Sequence, residues 1–522
     1  MNELDFNINF PSSQVISTSS LTIHLPLIPK SYYLHGWQSW SLTSWINPEV
    51  HIPVQKPKLL HAMQCDPQYA NHLYPHGSWL GAVEIDKDNI LLLASLGLDA
   101  HVELVNDNLH GWYESGKGKW FIGYGNEEMV FRKYTTLLRQ ILGYTPKKIG
   151  PRVWCSWYCL YTAIDEITLV KIFDDLKDYP FDVMQIDDGW QQSIGDWAPN
   201  NNFPSGMAAM AKKINSNGRI AGLWLAPFIA AKSSRLFQEH PNWFLKDKHG
   251  KFVSAGFNWG ENLYAIDTTH PDALLWLVEL MRKVKQWGFE YIKLDFLYAV
   301  ALPGKRNIDI SREAAYRNGL LVVRDTLDSS IFLLACGAPI LPSLGLCNAL
   351  RIGPDVASEW ENHRDSVLLY NPTIPGTRNA IRTSIHRLWL KPLVHVDPDV
   401  SYFRSMNCQL TKDQKQLLQD FSIICNFKAT SDLPQWLASY ERERLRAHLI
   451  AQPKITHPSR YVFKLDNRKV DYGSTIDLPE TPKGIDLLKS ALIGWLGNQG
   501  WVLKIMESIH KKSLLKIIKQ LY

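Results

Sequence analysis

The stretch Tyr291-Ile-Lys-Leu-Asp-Phe296 sets Lys293 and Asp295 two residues apart in an otherwise apolar run. Residues i and i+2 of a strand point to the same face. On a strand, the ammonium and the carboxylate would therefore stand side by side. A close ammonium favours the ionised carboxylate, and an ionised, positioned aspartate is suited to attack an acetal carbon. Such a displacement needs a second carboxyl, kept protonated, across the scissile bond. In a retaining mechanism the two stand about 5–5.5 Å apart. Candidates for the partner are Asp187 and Asp188 in "QIDDGWQ" (Gln185–Gln191) and Asp355 in "LRIGPDV" (Leu350–Val356). An internal ion pair would use Lys293 and Asp295 as well, and the other aspartates could serve as caps or turn residues.

These residues need elements that bring them to one place. From Val153 onward short apolar strands recur, each ending in polar or aromatic residues. They are expected at Arg152–Tyr158, Asp182–Trp190, Arg219–Phe228, Leu263–Asp267, Tyr291–Phe296, Ile331–Gly337, Asn348–Gly353 and Leu390–Val396. Helical patterns fall between most of them, at Asp165–Asp178, Pro271–Gly288 and Ser311–Asp328. Eight strands alternating with helices over about 250 residues form the pattern of a (β/α)8 TIM barrel within an α/β fold. The gap after the sixth strand holds Pro339, Pro342 and Gly345 and is too short for a full helix. In such a barrel the site lies at the C-terminal strand ends. Asp187 and Asp188 then come from the second strand, Trp224 from the third and Lys293 and Asp295 from the fifth. Cys336 comes from the sixth, and Arg351 with Asp355 from the seventh. Each has a plainer alternative in packing or ion pairing; the convergence of several strand ends carries the argument. His395, Asp397 and Asp399 in "HVDPD" could ligate a metal, but a strand-end turn explains them more simply. Nothing else has metal-ligand spacing or a phosphate-loop pattern, so no metal and no other cofactor is expected.

The rest of the chain frames this unit. Residues 1–145 alternate like β strands before a helix over Glu127–Gly143, which suggests an N-terminal β-sandwich-like domain. Residues 144–151 read as a linker, 151–410 as the catalytic barrel and 411–522 as a small C-terminal region of β and helical segments. Trp501–Tyr522 is basic with helical spacing and is expected to dock on its own protein. The chain has 522 residues, is 45% hydrophobic and 20% charged, and carries a net charge of only +5, which gives no nucleic-acid footprint. It holds 20 Trp against 19 Phe and 21 Tyr, a balance that suits both packing and the apolar faces of sugars. The start lacks a basic segment followed by an apolar one, and no run is apolar enough to span a membrane. Seven scattered cysteines suggest reduced thiols in a cytoplasmic protein.

"WCSWY" (Trp154–Tyr158), "QIDDGWQ", "GLWLAPF" (Gly222–Phe228), "YIKLDF", "ACGAP" (Ala335–Pro339) and "LRIGPDV", in that order, resemble glycoside hydrolase family 36, the α-galactosidases of the melibiase type. "GWQSWS" (Gly36–Ser41) resembles that family's β-domain motif. The resemblance covers roughly residues 30 to 400. It implies a retaining double displacement on a terminal α-linked galactose, as in melibiose- and raffinose-type sugars. It places the nucleophile on Asp295 and the acid/base on Asp355. Sugar contacts fall on Asp187, Asp188, Trp224, Lys293, Cys336 and Arg351. Trp157 and Tyr158 would add from the first strand, and Trp37 or Trp40 from the N-terminal domain. The family's small closing β domain departs here into a helix-rich pattern after Thr481–Leu488. An α-N-acetylgalactosaminidase, a galactosyl-transferring enzyme of the same fold and a non-catalytic sugar-binding barrel are the alternatives. The expected partner is a small α-galactoside, with no nucleic acid or membrane, and a homo-oligomer is compatible with the sequence.

Overall fold

A computed structural model describes the protein except for residues 1, 8–9, 50–57, 115, 144–149, 362–370, 481–482, 506–507 and 509–522. Most of the expected linker, and most of the basic segment after Trp501, lie outside the described residues.

The first 126 residues build two sheets. One has five strands, the other six, the latter running Ser13–Thr18, Gly118–Asn126, Asn89–Ser95, Leu80–Glu84, Tyr32–Leu34 and Ser44–Ile46 in spatial order. They pack face to face at Gly111 of the five-stranded sheet. A Cβ there would stand 2.9 Å from the Trp120 ring and 3.0 Å from Leu93, so only glycine admits this approach. A helix over Glu127–Leu142 follows. Asn126 caps its start and Gly143, at φ 65°, ends it in the left-handed region.

The centre is a curled, all-parallel sheet of eight strands. They are β1 (Arg152–Cys155), β2 (Val183–Ile186), β3 (Ile220–Leu225), β4 (Tyr291–Leu294), β5 (Phe332–Ala335), β6 (Ala349–Arg351), β7 (His395–Asp397) and β8 (Lys428–Thr430). Neighbours follow the order β8-β1-β2-β3-β4-β5-β6-β7. The two outer strands also meet, because Val400, just past β7, pairs in parallel with Ala429 of β8. All four residues of β2 and of β4 are buried, as expected for parallel strands covered on both faces. Helices α1 (Glu166–Asp175), α2 (Met207–Ser216), α3 (Pro271–Gln286) and α4 (Arg312–Leu327) follow β1 to β4. Only one turn, Ile340–Ser343, follows β5. Helices α5 (Thr377–Ile385), α6 (Lys412–Cys425) and α7 (Ser439–Ile450) follow β6 to β8. Local chemistry starts these helices. Asp165 and Ser311 accept from backbone N–H groups of α1 and α4, and Thr411 with Gln414 forms a reciprocal capping box on α6.

Two expected strands are corrected. Leu263–Asp267 is not in the parallel sheet; Glu261–Ala265 pairs antiparallel with Ser254–Asn258 and Ile229–Ala231. The cause is the two-residue turn Trp259-Gly260. Both residues have positive φ, 54° and 78°, the geometry of a tight hairpin. Leu390–Val396 contributes only its end, as β7, because Leu388–Leu390 coils into a short 3-10 turn. The eighth strand is the brief, polar Lys428–Thr430, beyond residue 410. Lys293 therefore stands on the fourth strand. Past α7 a three-stranded antiparallel sheet spans Ile455–Asp471, and a helix runs over Ile485–Gly497. Among the described residues, no helix is long and apolar enough to cross a membrane.

Candidate active site

Strand register brings the chemistry together. Trp224 of β3 lies beside Lys293 of β4, and Arg351 of β6 beside Asp397 of β7. Beyond the strand ends, the Asp295 N–H donates to the Leu225 carbonyl at 2.8 Å and the Cys336 N–H to the Leu294 carbonyl at 2.8 Å. Asp187, Asp188, Lys293, Asp295, Arg351, Asp397 and Asp399 at these C-terminal ends are buried. Buried charges must be paired, and here two cations do the pairing.

The first cation is Lys293. Its Nζ donates to Asp187 Oδ2 at 3.1 Å and stands 3.9 Å from Asp295 Oδ2. Burial opposes its charge, but the two carboxylates outweigh burial and hold the ammonium well above its ordinary range. Asp295 also accepts from Trp224 Nε1 at 3.0 Å and from the Phe296 N–H at 2.9 Å. Phe296 itself sits at φ 55°, a strained value for a bulky residue. Every one of these partners of Asp295 is a donor or a cation, so its carboxyl group is held in a fixed direction. Asp187 is tied to Gln185 Nε2 at 2.5 Å, and its N–H donates to Ser156 Oγ at 2.9 Å. Asp188 accepts from Trp259 Nε1 at 2.7 Å and Gln191 Nε2 at 2.5 Å. Burial pushes its carboxyl up to about 6.

The second cation is Arg351. Its three nitrogens each meet a different carboxylate at 2.9 Å: Nε to Asp397, one terminal nitrogen to Asp355 and the other to Asp399. Burial opposes its charge, and Asp397 and Asp399 overcome that. The Asp355 carboxyl is pushed up from its ordinary value, first by burial and then by the charges of Asp295 and Asp187, against Arg351 and Lys293. Its side chain is 35% exposed, whereas that of Asp295 is 10% exposed. The Cys336 thiol is buried, and burial followed by the Asp295 charge keeps it neutral.

Aromatic rings wall this pocket. Trp224 and Trp259 stand 6.2 Å apart, and Trp259 lies 5.3 Å from Phe296. From the N-terminal region, Trp40 reaches within 5.2 Å of Phe296 and packs against Gly337, where a Cβ would stand 2.9 Å from the ring. Trp37 does not reach the pocket. It is 1% exposed and lies under the guanidinium of Arg312 at 5.2 Å. The loop carrying both is clamped by Arg387, which donates to the carbonyls of Gly36, Gln38, Ser39, Ser41 and Ile352 at 2.6–3.0 Å.

The structure thus gathers Asp187, Asp188, Trp224, Lys293, Asp295, Cys336, Arg351, Asp355 and Trp40 at one end of the sheet. Tyr158 is there too, but its hydroxyl donates to Asp399. Trp157 packs on Tyr161 at 5.1 Å, beside the pocket. Sequence reasoning missed Trp259, Gln191 and Arg387, and took Asp397 and Asp399 for a turn. A signal for Trp259 was present: Asn258-Trp259-Gly260-Glu261 is a hairpin turn between alternating runs.

Comparison with known proteins agrees with this geometry. The Melibiase family model matches residues 121–331. The α-galactosidase AgaA of Geobacillus stearothermophilus is 27% identical over 191 residues, 33% of this chain and 25% of that protein. A blood-group A galactosamine galactosaminidase of Flavonifractor plautii is 28% identical over 156 residues, 28% of this chain and 14% of that protein. The matched segments span about a quarter or less of these curated relatives. The solved structure of TtGalA, an α-galactosidase from Thermus thermophilus in complex with p-nitrophenyl α-D-galactopyranoside, matches with a TM-score of 0.85. It is 41% identical, and the match covers 90% of this chain and 95% of that one. Solved AgaA shares the fold at 15% identity and a TM-score of 0.58, covering 82% of this chain and 61% of that one. With TtGalA matched over nearly its whole length, this chain belongs to the α-galactosidases of glycoside hydrolase family 36.

Proposed function

We propose that the protein is a retaining exo-α-galactosidase working in a closed (β/α)8 barrel whose eighth strand is Lys428–Thr430. An N-terminal β-sandwich-like domain over residues 1–145 lends Trp40, and a small C-terminal region follows the barrel. The observation that carries the reading is the asymmetry of two carboxyls at the same end of the sheet, one just past β4 and one on the loop after β6. Asp295 is cradled by donors and a cation, whereas burial and the charges of Asp295 and Asp187 push the Asp355 carboxyl up from its ordinary value. Surroundings that differ in this way suit one carboxyl to attack and the other to hand over a proton.

Asp295 attacks the anomeric carbon while Asp355 gives its proton to the leaving glycosidic oxygen. A β-linked galactosyl-enzyme and a free aglycone result. Asp355, now ionised, takes a proton from water, and that water attacks the same carbon from the opposite face. Galactose leaves in the α configuration and both carboxyls regain their starting states. Asp187, Asp188, Lys293 and Arg351 present charged groups for the ring hydroxyls, and Trp224, Trp259, Trp40 and Cys336 shape the pocket. TtGalA, solved with p-nitrophenyl α-galactoside and with stachyose, supports oligosaccharides ending in α-galactose as the substrates. The seven free thiols support a reducing, cytoplasmic setting.

The test is the first-formed anomer from p-nitrophenyl α-galactoside, followed by NMR in a panel that includes the α-N-acetylgalactosaminide. α-Galactose appearing first, with little turnover of the N-acetyl substrate, is the expected result. β-Galactose first, or no turnover of any α-galactoside, removes the assignment.

A further inference from the structure

Resting on that reading of Asp355, we propose that Asp399 is a positioning residue. It fixes the acid/base carboxyl by gripping both the arginine that binds Asp355 and the loop that carries it. Asp399 is 2% exposed and has φ 80°, an unusual conformation for an aspartate. Its two oxygens are fully engaged. Oδ1 stands 2.9 Å from an Arg351 terminal nitrogen and 2.8 Å from the Val400 N–H. Oδ2 accepts from the Val356 N–H at 2.9 Å and from the Tyr158 hydroxyl. Val356 is the residue after Asp355, so that bond anchors the loop one residue from the acid/base. The Arg351 bond does the same from the side-chain end, because the other terminal nitrogen of Arg351 holds Asp355 Oδ1 at 2.9 Å.

Asp355 sits four residues past β6, on a loop whose continuation lies outside the described residues. The one group of its own strand that aims it is Arg351, and Arg351 is itself held from the next strand by Asp397 and Asp399. Asp399 backs that aim from just past β7, and Tyr158, in the turn after β1, steadies Asp399. The groups facing Asp399 are Arg351, Asp355, Asp397 and Tyr158. Neither Asp399 nor Tyr158 is placed here against the sugar; both act through Arg351 and the Val356 N–H.

The reaction offers a readout that a merely structural role would not move. The p-nitrophenolate leaves without a proton, whereas the glucose of melibiose needs one from Asp355. The ratio of kcat/KM on the two substrates therefore reports the first step's dependence on the acid. Asp399→Asn in the full chain keeps the shape and removes the charge opposite Arg351. It is expected to lower kcat/KM on melibiose about 10- to 100-fold and on p-nitrophenyl α-galactoside only a few-fold. With Arg351 released towards Asp355, the basic limb of the melibiose pH profile moves to lower pH. Tyr158→Phe should show the same pattern at smaller size, and it carries the test where Asp399→Asn does not fold. Equal losses on both substrates, or wild-type rates, overturn the proposal. Asp355→Ala, run alongside, must itself lose melibiose selectively. If it does not, the acid/base reading falls; if it does and the Asp399 and Tyr158 variants do not follow, only the positioning role falls.

Discussion

Lys293 and Arg351 organise the two halves of the pocket in different ways. Lys293 serves two carboxylates, Asp187 and Asp295, that sit directly at strand ends. Arg351 serves three, of which Asp355 and Asp399 stand on loops past their strands. The ammonium is a compact point charge, whereas the planar guanidinium fixes several directions at once. The tasks differ in the same sense. A nucleophile must approach one carbon along one line, and a carboxyl mounted on a rigid strand with backbone and indole donors does that. An acid/base must serve first an oxygen and then a water. Asp355 is more exposed, belongs to a loop, and is steered through a cation that other carboxylates hold.

The largest effects should fall on the two aspartates and should differ in kind. Asp295→Ala is expected to lower kcat about 10,000-fold or more whatever the leaving group, as removal of a covalent nucleophile does. Azide added to it should give β-galactosyl azide. Asp355→Ala should lose about 100- to 10,000-fold on melibiose, much less on the nitrophenyl glycoside, and give the α-azide. Identical products from the two variants would erase the distinction between the halves. Next in size come the cations. Lys293→Met leaves Asp187 and Asp295 buried without their counter-charge, at a cost of about 3–5 kcal/mol in denaturant unfolding. Arg351→Lys keeps a charge but not three directions, so it should cost less stability while selectively impairing melibiose. Equal destabilisation by both would mean that the forked geometry adds nothing.

A smaller, pH-dependent effect belongs to the Lys293 half. Asp188 is buried, and burial raises its carboxyl to about 6, against the donors Gln191 and Trp259. The folded state therefore binds this proton more tightly than the unfolded chain, whose carboxyl titrates near 3.9. Stability from this source is full below about pH 4 and is lost as pH rises to about 6, by roughly 2–3 kcal/mol. Asp188→Asn should remove that slope, measured as the change in Tm between pH 4 and pH 7, while weakening sugar binding. An unchanged slope would place the titration elsewhere.

How much of this was legible follows from the period of the pattern. Strands β1 to β6 carry long apolar runs with polar ends, so their motifs were found and the charged pair at Lys293 and Asp295 stood out. Leu263–Asp267 misled because a hairpin strand shares the same apolar look; its Trp259-Gly260 turn was the discriminating cue. The eighth strand has three residues and begins with Lys428, too short and polar for any periodicity. Asp355 was one of three open candidates on spacing alone, because no spacing reports the distance between loops. Arg387 was missed and Asp399 was read only as part of a turn for a related reason. Their partners lie more than 340 residues away for the Gly36–Ser41 loop and 241 for Tyr158.

Arg387 gives the smallest and most discriminating perturbation, because it touches both halves without contacting sugar. It is fully buried and has carbonyls rather than carboxylates for partners, so burial lowers its guanidinium to about 9. Both ends of its fork hold the loop that packs Trp40 against Gly337, and one further bond reaches the Ile352 carbonyl between Arg351 and Asp355. Arg387→Lys retains a cation but cannot reach five carbonyls, and should lose about one or two net hydrogen bonds. If the clamp serves chiefly Trp40, KM rises about tenfold on both substrates with kcat nearly kept, the equivalent of about 1.4 kcal/mol of binding. If it serves chiefly the Asp355 loop, melibiose suffers more than the nitrophenyl glycoside. The first outcome is expected, since four of the five carbonyls belong to the Trp40 loop and only one to the loop of Asp355.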